Sequence, residues 1–369
     1  MSGPARLKRT VRLRQTMPNS VGRHMARRVT LKDVARESGM SESAVSQVLN
    51  NRPCRLSEDS KQRIRECAQR MNYRANRAAR GLATKRSETV GLIVPDIENP
   101  FFSSLAKSLE ARCRQAGLAL FVANSDDRIE HDCEQLQRMD ALGVDGIFFV
   151  PSNEIIADDE SSIMDVLNGV SVPFVMVDRI IDDAVCDKVF VDNEYGAHQA
   201  VEYLISRGHT RIGCLANTRN SQNGRLRLAG YRNALVDHGL DFDDSLVAEG
   251  DYHGASGYGA VDALLSAGVT AIFSTSDLMT IGVMRRLSEL SLRVPDDISL
   301  VSFDRNETSA FFLPDITSVH QDVAELSSRA FDLLSARIGG DASDPVLQVV
   351  EPTLVMGTSV SEPRDQDVR

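Results

Sequence analysis

Between Leu31 and Leu49, apolar side chains recur at helical spacing on either side of a break: Leu31, Val34 and Ala35, then Val45, Val48 and Leu49. The pattern predicts two short helices, each with one apolar face. Thr30 with Asp33 has the form of a capping box, Ser41 stands where the second helix needs an N-cap, and Gly39 supplies a corner that calls for positive φ. A third helix opens at Ser57, Glu58 and Asp59 and carries Ile64, Ala68 and Met71 at i, i+4 and i+7, with Cys67 beside that stripe as a small core residue. Three such helices close a small core. The second leaves Glu42, Ser43, Ser46 and Gln47 on its polar face, side chains able to address base edges or phosphates in a major groove. A helix-turn-helix reader of DNA is the expectation, and a plain αα-hairpin the alternative.

From Ser87 the period changes. The apolar runs TVGLIVP, LALFVAN, DGIFFVP and PFVMVD alternate with helical segments near 101–117, 130–142 and 160–168. The rhythm then begins again: VFVDN, RIGCLAN, SLVAEGD, TAIFSTS and ISLVSFD alternate with helices near 193–207, 225–238, 254–267 and 277–290, with Gly208 as a C-cap. Buried strands alternating with amphipathic helices predict βαβ units. The fold expected is a small all-α helix-turn-helix head plus an α/β core of two doubly wound parallel-sheet subdomains, with a ligand cleft at the carboxyl ends of the strands.

Charge sharpens the division. The 369 residues are enough for two or three compact units, and 42% of them are apolar. Residues 1–86 hold 21 Lys and Arg against 6 Asp and Glu, whereas the remainder holds 21 against 46. A basic front and an acidic body suit a protein that meets a polyanion with its head alone. Residues 1–28 are basic and acid-free, so disorder is expected there; they read either as an extra DNA-grasping arm or as a leader upstream of a true start at Met25.

Other chemistry is ruled against. The six cysteines form no C-x-x-C pair, so neither a zinc ribbon nor a redox motif is expected, and no metal or cofactor. No G-x-S-x-G, H-E-x-x-H or Walker-type loop appears, which argues against an enzyme. His209, after the C-cap glycine, and His253, at a helix start, read as structural or solvated. No apolar run is long enough to span a bilayer, and the first 29 residues hold no signal-peptide core, so a cytoplasmic, nucleoid-associated protein is expected.

The stretch VTLKDVARESGMSESAVSQVLNN, the third helix and then NYRANRAARGLATKRSETVGLIVPD are similar to the amino-terminal region of the lactose-repressor (LacI/GalR) family of transcription regulators. The resemblance continues in the same order through NPFF at Asn99, DGIFF at Asp145, VDR at Val177, RGHTRIG at Arg207, GRLRLAGY at Gly224, SDLMTIGVM at Ser276, LRVPDDISLVSFD at Leu292 and TSVHQD at Thr317. It implies a periplasmic-binding-protein-like core. The domains expected are a tail at 1–28, a head at 29–75, a hinge segment at 76–86, a core at 87–360 and a tail at 361–369. Within the core, subdomain 1 is placed at about 87–190 and 321–346, and subdomain 2 at about 191–318 and 347–360. The chain would cross between them near Val191, near Ser318 to Gln321 and near Leu347.

The resemblance also implies residues. Glu42, Ser43 and Gln47 would read bases, Thr30, Ser41 and Asn50 would act mainly on phosphates, and Ser46 would belong to the same DNA-binding face. Leu82, with Ala83, would wedge into the minor groove. The effector set would be Asp96, Asn99, Phe101, Phe102, Asp178, Arg179, Arg227, Tyr252, Ser276, Asp277, Asp304 and Gln321, acids, arginines and aromatic faces suited to a polyol. Arg227 and Asp304 match family ligand positions, whereas Ser276 stands where the family often has asparagine. The partners implied are a near-palindromic double-stranded DNA operator, a carbohydrate effector, and a second copy in a homodimer or tetramer. A purine-type corepressor response and a stand-alone solute-binding protein are the alternatives.

Overall fold

The structure is a computed structural model that describes residues 29–50, 53–73, 86–156, 161–306 and 309–364. The described residues fall into two units, one ending at Tyr73 and one beginning at Arg86. The basic tail, Leu82 and Ala83 lie outside them.

The head is three helices, α1 (Leu31–Ser38), α2 (Glu42–Leu49) and α3 (Glu58–Arg70). The capping box forms as expected: Asp33 N–H donates to Thr30 Oγ1, and Thr30 N–H donates back to Asp33 Oδ2 at 2.9 Å. Ser41 caps α2 and Ser57 caps α3. Gly39 turns the corner at φ 70°, where a Cβ would be strained. Val34, Ala35, Val45, Val48, Ile64, Cys67 and Ala68 form the core on which the three apolar faces converge.

The larger unit holds two six-stranded sheets. The first lobe runs β1 (Thr89–Val94), α4 (Pro100–Gln115), β2 (Ala119–Asn124), α5 (Ile129–Leu142), β3 (Ile147–Phe149), α6 (Ser161–Gly169), β4 (Phe174–Val177) and β5 (Asp187–Val191). The second runs α7 (Asn193–Ser206), β6 (Ile212–Ala216), α8 (Gln222–Asp237), β7 (Val247–Glu249), α9 (Gly254–Ser266), β8 (Ala271–Ser274), α10 (Asp277–Glu289), β9 (Ser299–Asp304) and β10 (Thr317–His320). The chain then returns to the first lobe through α11 (Val323–Ile338) and β11 (Leu347–Val350), and ends in the second with β12 (Thr353–Val355).

The strand orders are β11-β5-β4-β3-β1-β2 and β12-β10-β9-β8-β6-β7, with every pairing parallel except that of β12 with β10. Because β11 pairs with β5, Leu347–Val350 belongs to the first lobe. The third crossing therefore falls after Val350, not near Leu347, and the expected boundary at 346/347 moves accordingly. Sequence periodicity could not place it: an exposed edge strand such as β11 reads the same whichever sheet it joins.

Helices cover both faces of each sheet, and successive strand residues alternate between two cores. Leu92, Val94 and Phe148 point into one and Ile93, Ile147 and Phe149 into the other; Phe273 and Ile272 divide likewise in the second lobe. In both sheets the strand order reverses beside the first strand, so crevices open at the carboxyl ends of β1/β3 and β6/β8.

Helices α9 and α10 approach closely enough to require glycine. A Cβ on Gly282 would lie 1.9 Å from the Gly254 carbonyl oxygen, a backbone atom that cannot step aside. Gly282→Ala should destabilise the core by about 1–3 kcal/mol, as overpacking does. An unchanged thermal midpoint would show that the two helices separate freely.

Candidate functional site

The two crevices face each other, and the side chains at the strand ends build one cleft. Its narrow waist is lined from the first lobe by Asn99, Phe101, Phe102, Asp178 and Arg179, and from the second by Ser221, Asn223, Arg227, Tyr252 and Asp304, with Gln321 at the crossover. The space at the waist is about 30 Å³. An outer chamber of about 240 Å³ adjoins it and is lined by Asp96, Asp126, Asp127 and Asp251 among others.

Each guanidinium in the waist is fixed by its own lobe. Arg227, in α8, is 4% exposed; its Nε donates to Asn193 Oδ1 at 2.8 Å and one terminal nitrogen to the Thr275 carbonyl at 2.6 Å and to Asp304 Oδ1 at 3.4 Å. The group stacks 3.7 Å above the Phe303 ring. Arg179, 6% exposed, donates to Asp127 Oδ1 at 2.6 Å and the Pro151 carbonyl at 3.2 Å, and lies 5.3 Å from the Phe102 ring. Asp127 is fixed in turn by the Asn153 backbone and side-chain amides, and the Arg179 charge with these bonds holds its carboxyl below the usual range even against burial.

The carboxylates are placed by unusual backbone. Asp178, Tyr252 and Asp304 have φ of 68°, 64° and 100°, conformations that cost a non-glycine residue energy and persist where the surroundings impose them. Asn223 Nδ2 reaches both Asp178 oxygens at 3.4 Å, a long polar contact from the second lobe to the first. Gln321 Nε2 donates to Asp304 Oδ1 at 2.6 Å, and Ser221 Oγ and Tyr252 Oη are 3.0 Å apart. Burial pushes Asp178 up to about 6, with the Arg179 and Arg227 charges opposing the shift.

Most of the expected effector residues meet here, with exceptions. Asp96 lines the outer chamber, where its carboxylate accepts the Glu98 N–H. Ser276 and Asp277, expected in the site, are absent from its lining. Ser276 caps α10 through the Met279 N–H, and Asp277 accepts from Ser302 Oγ and from both amides of Asn306, so it holds the loop after β9. Phe101 and Phe102 serve twice, in the core of the first lobe and in the cleft wall. Sequence reasoning missed Ser221, Asn223, Asn193 and Asp127. Only Ser221 carried a signal, as a small polar residue before a helix.

Of the two readings open for His209, the structural one holds: it is buried, and its ring nitrogens bond Thr270 Oγ1, Ser299 Oγ and the Ser361 carbonyl, tying the final segment to the second lobe. His253 stands at the N-cap of α9, exposed and without a side-chain capping bond.

In the head, α2 presents Glu42 and Ser43 to solvent, with Ser46 and Gln47 half-buried one turn on. Ser41 Oγ accepts the Ala44 N–H, which leaves its own proton to donate outward. Thr30 Oγ1 donates to Asp33 at 2.6 Å and must release that bond to reach a phosphate, while Asn50 Nδ2 is turned back on the Ser46 carbonyl at 2.8 Å.

Residues 30–76 match the bacterial regulatory proteins of the lacI family, and residues 201–360 match a periplasmic binding protein-like domain. Catabolite control protein A of Priestia megaterium is 34% identical over 319 residues, 86% of this chain and 94% of that protein. The HTH-type transcriptional repressor PurR of Aliivibrio fischeri is 30% identical over 337 residues, 90% of this chain and 98% of that one. Among solved structures, the Lac repressor dimer bound to operator and the anti-inducer ONPF superposes with a TM-score of 0.81 at 27% identity, covering 91% of this chain and 100% of that one.

The buried acid gives the site a pH dependence. With its carboxyl at about 6 in the folded protein and 3.8 as reference, Asp178 favours folding most below about 4, and that advantage is lost as pH rises to about 6. A hydroxyl donor needs the carboxylate. Affinity for a ligand that donates a hydroxyl to Asp178 should therefore fall about tenfold between pH 7.5 and 5, and Asp178→Asn should flatten the profile. Calorimetric titration across that range checks it; an unchanged slope in the variant would assign the dependence elsewhere.

Proposed function

The chain belongs to the lacI family of bacterial regulatory proteins and is a DNA-binding transcription regulator controlled by a small molecule; we propose that it is a repressor whose effector is a neutral carbohydrate held at the waist. One observation carries the effector reading: two buried guanidinium groups and two carboxylates converge from the two lobes on the same narrow space. Sugar hydroxyls both donate and accept, so paired arginines and acids satisfy them in both roles, with Phe102 and Tyr252 available to a ring face. The near balance of charge disfavours a multiply phosphorylated ligand. In this reading Asp178, Arg179, Arg227, Asp304 and Gln321 contact the ligand, Asn223 bridges the lobes, and Asp96 belongs to the entrance.

The carbohydrate acts as a wedge or a clasp between lobes joined by three crossings, a hinge whose closure it biases. The protein works as a homodimer or tetramer on a near-palindromic operator in the cytoplasm, on nucleoid DNA. Glu42, Ser43 and Gln47 read bases, Ser41, Thr30 and Asn50 meet phosphates, Ser46 lies on the same DNA-binding face, and Leu82 with Ala83 enters the minor groove.

Two variants test the two halves separately. Arg227→Ala should lower affinity for the sugar at least tenfold while leaving operator binding within about twofold, since a buried charged hydrogen-bond set is worth about 1.5–3 kcal/mol. Normal sugar titration by that variant would remove Arg227 from the site, and tight binding of a free nucleobase by the wild type would favour the purine-type response. Gln47→Ala should relax base preference at one position of sites selected from random duplex DNA, a discrimination of about 1–3 kcal/mol. Uniformly weaker binding with the same site profile would instead assign Gln47 to phosphate.

A further inference from the structure

Where β9 leaves its sheet, two consecutive residues, Asp304 and Arg305, stand at φ of 100° and 41°. A Cβ meets steric resistance in that region, so two non-glycine residues in succession hold it only where the surroundings impose it. The first of them carries the second lobe's carboxylate into the waist, where it accepts from Gln321 Nε2 at 2.6 Å and from Arg227 at 3.4 Å. Those bonds fix the Asp304 side chain. The backbone that aims it is gripped from elsewhere.

Asp277, the first residue of α10, is 2% exposed and absent from the lining of the waist and of the outer chamber. Its Oδ1 accepts the Ser302 hydroxyl at 2.8 Å, on the near side of the pair. Its Oδ2 accepts the Asn306 backbone N–H at 3.0 Å and the Asn306 side-chain amide at 2.9 Å, directly beyond the pair. The two oxygens of one carboxylate therefore straddle Asp304 and Arg305. The near anchor is held by the sheet, since Ser302 pairs with Ser318 of β10 and lies 2.7 Å from Thr280 Oγ1. The far anchor lies past the last paired residue of β9, and it continues into a turn in which the Ser309 N–H and hydroxyl bond the Asn306 side chain and carbonyl. A carboxylate suits this place because each of its oxygens can accept from a different flank.

We propose that Asp277 is a positioning residue of the effector site: by clamping Ser302 and Asn306 it imposes the left-handed backbone at Asp304 and Arg305 and so keeps the Asp304 carboxylate aimed into the waist. This rests on the reading of the waist as the effector site and adds the group that sets its second-lobe acid in place before any ligand arrives.

The test uses the full chain without effector. Asp277→Ala removes both anchors, whereas Asp277→Asn keeps an acceptor for the Asn306 amides and turns a donor toward Ser302 Oγ, which can accept it. The Gln321 side-chain amide, selectively labelled with nitrogen-15 and assigned by its disappearance in Gln321→Leu, reports on Asp304, because the short bond to a carboxylate holds one amide proton downfield. That downfield signal should be lost in Asp277→Ala and kept in Asp277→Asn, and a crystal structure of the alanine variant should show φ at Asp304 and Arg305 returned to negative values. Ser302→Ala cuts one anchor alone; it should move the signal in the same direction, and it carries the test where Asp277→Ala does not fold. A general loosening of the lobe would lower the melting temperature without selecting this resonance. A signal unmoved in folded Asp277→Ala or in Ser302→Ala, or lost equally in Asp277→Asn, overturns the proposal. Because these readouts need no effector, that result falls on Asp277 and leaves the reading of the waist untouched.

Discussion

A guanidinium withdrawn from water has to be paired and hydrogen-bonded where it lies, and the cleft of this protein is built around two of them. Stripping a cation of its water costs several kcal/mol unless well-placed acceptors replace it. Arg227 finds Asn193, the Thr275 carbonyl, Asp304 and the Phe303 ring; Arg179 finds Asp127, the Pro151 carbonyl and Phe102. These partners sit at the ends of different strands, so the sheets must be in register for either arginine to be satisfied. The requirement runs both ways, because removing one partner leaves a buried charge uncompensated.

The same groups set what the cleft can recognise. Asp178, Asp304 and Gln321 line the waist, and the backbones of Asp178 and Asp304 are held in sparsely populated conformations, an arrangement that pre-orients their carboxylates. Between the lobes, Asn223 and Asp178 touch only at 3.4 Å. A long contact of this kind contributes little by itself, so the relative position of the lobes is set by the three crossings and by whatever fills the cleft. A ligand shifts such an equilibrium only by its difference in affinity for the two arrangements, and groups drawn from both lobes are what create that difference.

Control of a DNA-binding head by a small molecule requires that the two chemistries not interfere. The charge division serves this: the basic residues are concentrated before residue 87, and the acidic excess lies in the lobes. The body therefore repels the polyanion that the head attracts, which favours contact through the head. The outer chamber, with Asp96, Asp126, Asp127 and Asp251 on its wall, extends the same field to the cleft entrance and disfavours anionic ligands there.

Much of this was legible in the residues. Caps and periodicity are local, and so Thr30 with Asp33, Ser41, Gly39 and Ser57 fixed the head's helix ends, while the alternation of buried strands and amphipathic helices gave the two doubly wound lobes. Strand-end acids and arginines pointed to the cleft because that topology always opens at the same edge. The structure alone decided which of them face it. Ser276 and Asp277 carry the right chemistry at a strand end yet turn inward to cap α10 and hold Asn306, and Asn223, Asn193 and Asp127 became visible only once distant segments met. The same is true of Leu347–Val350, an edge strand whose sheet was settled by pairing with β5. A side chain's partners within one helical turn are written in the sequence; its partners across a sheet depend on register and rotamer, which only the packed whole determines.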